Sequence, residues 1–128
     1  MAGERRALVV DDDPGIRVLV ARVLTRNGFL VESARDGGEA IEKVLQNDYN
    51  VITLDLMMPR IDGFAVVKYL SEHRPEVLAN VIVVTAFGPN AIEKVCPPIV
   101  RVVEKPFDLN ALVAEATACA DDQSDAAS

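Results

Sequence analysis

The 128-residue chain is short of several residue types at once: it has no tryptophan, two tyrosines, four phenylalanines, two cysteines and one histidine. With aromatics at 5%, it offers no stacking surface for bases or sugars. Its core must come from Val, Leu, Ile and Ala. Cys96 and Cys119 stand at no metal-ligand spacing, and reduced, idle thiols are the reading that fits a cytosolic chain. Basic runs are equally scarce, with nothing longer than Arg5-Arg6 and a formal charge of -7. Phosphate backbones and anionic lipids need a basic patch, so direct contact with nucleic acid or with a membrane is not expected. No apolar stretch approaches the ~20 residues of a membrane span, and the first residues lack a signal-peptide core. A cytoplasmic location follows as an expectation.

What is present is a set of short apolar runs alternating with amphipathic stretches. One domain over residues 1–120 is expected, with residues 121–128 as a disordered tail or the start of a linker. Residues 7–10, 29–33, 51–54, 81–84 and 99–103 read as five strands, four of them apolar enough to be buried on both faces. Between the first two, Asp13-Pro14 supplies a helix cap and a first-turn proline, and Asn27-Gly28 supplies a stop. That helix carries Ile16, Leu19, Val20, Val23 and Leu24 on one face. The second has Ala40, Ile41, Val44 and Leu45, and the third has Phe64, Val67, Leu70 and Tyr69. Residues 90–95 can hold only a short helix before Pro97-Pro98. Asp108 caps a final helix with Leu109, Leu112, Val113 and Ala116 inward. Strands alternating with helices specify an α/β fold, a doubly wound parallel sheet covered on both faces.

The strand ends carry the chemistry. Asp11 and Asp12 follow the first strand, Asp55 the third, Thr85 the fourth and Lys105 the fifth, and in open α/β sheets ligands bind at that edge. Acids gathered there repel by roughly 4 kcal/mol for two charges ~4 Å apart at an effective dielectric of 20. A divalent cation relieves that. Phosphoryl transfer onto a carboxylate gives every member of the set a role. Asp55 is the expected nucleophile. Asp12 and Asp55 are expected to bind Mg²⁺ directly, with Asp11 acting through water and the Met57 carbonyl adding an oxygen. Thr85 offers a hydroxyl and Lys105 a compact positive charge to the phosphoryl oxygens. Singly these residues mean little, since an Asp or Thr after a strand is often structural and a Lys before Pro is usually solvated.

The segments Leu8-Val9-Val10-Asp11-Asp12-Asp13-Pro14, Leu54-Asp55-Leu56-Met57-Met58-Pro59, Asp62-Gly63, Val84-Thr85-Ala86 and Lys105-Pro106-Phe107 together resemble the receiver domains of bacterial two-component response regulators. The resemblance spans residues 7 to about 118. It implies a flavodoxin-like five-stranded sheet of order 2-1-3-4-5 and a phosphoryl group donated to Asp55 by a sensor histidine kinase or a histidine phosphotransfer protein. It further implies a cis peptide before Pro106 and room for the incoming group beside the small Ala86. Downstream output implies a protein target, and Arg17, Arg22 and the loop 58–61 are candidate determinants of partner choice.

Two departures from the family pattern stand out. Val102 occupies the position where the family usually carries a switch aromatic, so the usual Thr–aromatic coupling cannot operate in its ordinary form. Met57 and Phe87, at positions that flank the hydrolytic water, are bulky and apolar, which predicts slow autodephosphorylation. Two other readings compete. A haloacid-dehalogenase-type Mg²⁺ phosphatase needs a second Asp where Met57 stands, and an unphosphorylated receiver-like binding module usually loses an acid, the Thr or the Lys. The chain is therefore read as a signalling domain that assists only its own phosphorylation and dephosphorylation, not as an enzyme with turnover.

Overall fold

Short apolar runs, buried throughout at residues 7–10 and 51–54, build the sheet. The computed structural model describes residues 5–56, 58, 62–85, 101–104 and 108–127. Its strands are β1 (Arg5–Val10), β2 (Phe29–Ala34), β3 (Val51–Asp55), β4 (Val81–Thr85) and β5 (Arg101–Glu104). They form one sheet in the order β2-β1-β3-β4-β5, and every neighbouring pair is parallel. The helices are α1 (Pro14–Arg26), α2 (Gly37–Gln46), α3 (Gly63–His73) and α4 (Leu109–Ala127), with a 3-10 turn at Pro75–Asn80.

Successive strand residues point to opposite faces, giving two apolar layers. Leu8, Val10, Ile52, Leu54 and Val83 pack with Ala40, Val44, Val66, Val67 and Leu70 of α2 and α3. Ala7, Val9, Val51, Ile82 and Val84 pack with Val20 and Leu24 of α1 and Leu112 and Ala116 of α4. The helix signals work locally as their chemistry requires. Asp13 Oδ1 accepts from the Gly15 and Ile16 amides. Gly28 takes φ +91°, the left-handed conformation that lets the chain leave α1 and enter β2.

Several expectations need correction. Leu19 and Leu45, placed on inward stripes from their spacing, are 49% and 47% exposed. A helix lying on a sheet buries a narrower arc than its apolar pattern spans, and Val20, Leu24, Ala40 and Val44 fill that arc. Val66, not singled out from the sequence, is buried. The 3-10 turn also went unforeseen, and its Val77 and Leu78 close the α3 side of the core. α4 runs to Ala127, through a stretch with several alanines. The expected short helix over residues 90–95 and the first two residues of the expected fifth strand lie outside the described residues, as does Cys96. Cys119 is buried, its thiol 3.7 Å from the carbonyls of Asn50 and Ala79.

Candidate functional site

The two central strands set the site. Val10 pairs with Leu54 across β1 and β3, so the next residues, Asp11 and Asp55, emerge side by side at the carboxyl edge. Both are buried, with 4% and 3% of their surface exposed, while Asp12 is exposed. One carboxylate oxygen from each of Asp11, Asp12 and Asp55 can be chosen so that all three lie within 4.8 Å of one another. Buried carboxylates are stable beside one another only with compensating charge or hydrogen bonds. A set of hard oxygen donors with one member open to solvent fits a hydrated Mg²⁺.

The loop that carries the acids is tied down at several points. The Asp11 amide donates to the Ala34 carbonyl at 3.2 Å. The Asp13 amide donates to Asp11 Oδ1 at 2.9 Å. From the second turn of α1, Arg17 Nη1 donates to the Asp11 carbonyl at 2.8 Å. On the other side, α3 begins against the backbone of Asp55 itself. The Gly63 amide donates to the Leu56 carbonyl at 3.2 Å, and a Cβ on Gly63 would stand 2.4 Å from the Asp55 carbonyl oxygen. Asp62 caps this helix through the Ala65 amide at 2.9 Å. The sequence reading took Asp62-Gly63 only as part of the resemblance and Arg17 as a candidate determinant of partner choice. The signal for Gly63 was available, because a glycine opening a helix next to a functional strand end marks close backbone approach.

The other expected site residues divide by position. Thr85 ends β4, one step beyond Val84, which pairs with Asp55, so its backbone lies on the same edge as the acids. Met57, Ala86, Phe87, Lys105 and Pro106 lie outside the described residues. Val102 is half-buried on β5 against the α2–α3 layer. His73 ends α3 on the surface with its ring edge-on to Tyr69, centroids 4.2 Å apart. Among the described residues no helix is long and apolar enough to cross a membrane.

Known proteins share this architecture and its sequence. TcrA of Mycobacterium tuberculosis, a transcriptional regulatory protein, is 42% identical over 83 residues, which are 65% of this chain and 32% of that protein. The chain thus matches about a third of the length of that curated relative. The Francisella response regulator 1452 receiver domain superposes with a TM-score of 0.84 at 29% identity, over 93% of this chain and 98% of that one. The response regulator TrrA of Thermotoga maritima, solved in complex with Mg²⁺ and BeF, gives a TM-score of 0.77 at 26% identity, over 90% and 98% of the two chains. The family model of the response regulator receiver domain matches residues 7–117. The chain belongs to that family, the phosphoryl-accepting domains of two-component signalling.

Proposed function

We propose that Asp55 is the phosphoryl acceptor, and that Asp11, Asp12, Asp55 and the backbone carbonyl of Met57 hold the Mg²⁺ that the reaction needs. The observation that carries this reading is the convergence of three carboxylates, two of them buried, at the end of the central strands. An oxygen of the Asp55 carboxylate attacks the phosphorus of a phosphohistidine. The P–N bond breaks, its electron pair returns to the imidazole nitrogen, and an acyl phosphate forms. Bound Mg²⁺ supplies positive charge to the phosphoryl oxygens. The Thr85 hydroxyl and the Lys105 ammonium take the remaining oxygens, and Ala86 leaves them room. The relative crystallised with Mg²⁺ and BeF, a stand-in for a phosphoryl group, supports the same pair of ligands here.

The donor is a sensor histidine kinase or a phosphotransfer protein, and α1 offers it a surface. Val18 and Leu19 are each 49% exposed there, and Arg22 and Arg26 make no ion pair among the described residues. Residues 1–120 act as the receiver unit. Output is a downstream protein contact or onward phosphotransfer that does not use an aromatic switch at Val102. The domain catalyses nothing beyond its own phosphorylation and dephosphorylation, and in keeping with its charge it touches neither nucleic acid nor membrane directly.

Intact mass after incubation with acetyl phosphate and Mg²⁺ tests this reading. The expected outcome is one phosphoryl adduct on the native chain, none on Asp55→Asn, and slow decay of the adduct because Met57 and Phe87 cannot orient a water. An adduct on Asp55→Asn would move the acceptor elsewhere, and rapid decay would remove the lifetime role of Met57 and Phe87.

A further inference from the structure

α1 carries three arginines and no acidic residue, and they do different things. The side chains of Arg22 and Arg26 make no hydrogen bond or ion pair among the described residues. Arg17 instead turns back over the start of its own helix and donates through Nη1 to the Asp11 carbonyl, 2.8 Å away. Its own backbone is fixed, because its amide closes a helical bond to the Asp13 carbonyl at 2.9 Å.

That carbonyl belongs to the peptide joining Asp11 to Asp12. The peptide is planar, so pinning its oxygen fixes two torsions at once, ψ of Asp11 and φ of Asp12. The other ties on Asp11 act elsewhere: β2 holds its amide and the Asp13 amide holds Oδ1. Arg17, bonded to the carbonyl, restrains rotation of this peptide plane, the motion that swings Asp12 relative to Asp11. A planar, charged guanidinium suits the task, since its donors have fixed directions.

We propose that Arg17 is a positioning residue for the metal site, setting through the Asp11 carbonyl how the carboxylates of Asp11 and Asp12 face Asp55. The proposal rests on the reading of the acidic cluster as the Mg²⁺ site. It also links two surfaces, because the helix exposed to a phosphoryl donor is tied by this one side chain to the loop that holds the cation.

Calorimetric titration of the whole chain with Mg²⁺ tests it, using Arg17→Ala, Arg17→Lys and Arg22→Ala. Groups that orient metal ligands typically change affinity by 10–100-fold, so Arg17→Ala should weaken Mg²⁺ binding by about tenfold or more. Arg22→Ala removes the same charge from the same helix without touching the loop, and through screening solvent it should shift affinity by no more than about twofold. Arg17→Lys keeps the charge but loses the planar fork and should fall between. If Arg17→Ala does not fold, Arg17→Lys carries the test alone, and wild-type affinity in it overturns the proposal. So does wild-type affinity in Arg17→Ala, or equal weakening in Arg17→Ala and Arg22→Ala, which would reduce the effect to long-range charge. A native chain that binds no Mg²⁺ overturns both this proposal and the reading beneath it, whereas a native chain that binds while the Arg17 variants bind equally well removes only the proposal.

Discussion

Two glycines show how differently the same residue serves this molecule. At Gly28 a Cβ would meet nothing within 4 Å, and the demand is conformational, φ +91°. At Gly63 the space is filled: a Cβ would lie 2.4 Å from the Asp55 carbonyl oxygen and 2.6 Å from the Leu56 Cα. Those are backbone atoms of the strand end that presents Asp55, the proposed acceptor, and no rotamer change can relieve the clash. Gly63→Ala should therefore destabilise the fold by about 1–3 kcal/mol, the usual range for overpacking, and should also weaken Mg²⁺ binding by shifting Asp55. Gly28→Ala should lower stability by about 1 kcal/mol through left-handed strain while leaving Mg²⁺ affinity as it was. Urea unfolding and Mg²⁺ titration of both variants separate the two cases. Equal Mg²⁺ affinity in Gly63→Ala and the native chain would show that the close approach does not locate Asp55.

At the scale of elements, β1, β2 and α2 are joined at the amino-terminal part of the sheet by a polar cluster around Glu32. Its carboxylate accepts from Arg6 Nη2 at 2.8 Å and from the Tyr49 hydroxyl at 2.9 Å, and Lys43 Nζ lies 3.6 Å away. Burial pushes the Glu32 carboxyl up, but the hydrogen bonds from Tyr49 and Arg6 and the nearby cationic charges outweigh it and hold the group below its ordinary range. Burial also raises the Tyr49 phenol, and the hydrogen bond it gives to Glu32 adds to the effect, taking it to about 12. The unfolded chain releases the Tyr49 proton near pH 10 and the folded chain near 12, so this contribution to stability is complete below pH 10 and is lost as pH rises towards 12. For Glu32 the sign reverses: the contribution is present above the unfolded value and disappears as pH falls through the lower, folded one. With Tyr69→Phe leaving Tyr49 as the only tyrosine, phenolate absorbance should titrate near 12, and adding Glu32→Gln should bring the midpoint back towards 10. A midpoint near 10 before that second change would mean the cluster does not form in solution. None of these partners was legible in the sequence, because Arg6, Glu32, Lys43 and Tyr49 belong to four separate segments and hydropathy patterns are local. The β1 and β3 strands, by contrast, were legible to within a residue or two, since Leu8-Val9-Val10 and Val51-Ile52-Thr53-Leu54 must be buried and turn acidic where the apolar runs end.

Over the whole molecule, the same sheet that buries the core brings like charges together at its edge, so an Mg²⁺ bound there, as proposed, couples stability to function. The juxtaposition of Asp11 and Asp55 could be anticipated because a parallel sheet aligns strand ends, and Gly63 could be flagged as a glycine opening a helix beside such an end, whereas the hold that Arg17 exerts on the loop after β1 could not, since it depends on a side-chain approach that no periodicity encodes. The coupling has a measurable consequence. A ligand that binds only the folded chain stabilises it by mass action, so Mg²⁺ at ten times its Kd should add about 1.4 kcal/mol. For a domain of this size that corresponds to a rise in Tm of roughly 3–6 °C. Chelation with EDTA should remove that increment. In EDTA, Asp55→Asn should melt above the native chain, because one charge has left a cluster of like charges, two of whose members are buried, and added Mg²⁺ should then raise its Tm by much less. Thermal melts of the two proteins with and without Mg²⁺ decide the matter. If Mg²⁺ shifts both proteins equally, the ion binds somewhere other than this edge. A native chain that melts at the same temperature in EDTA and in excess Mg²⁺ would mean that the three carboxylates are held together by the protein alone.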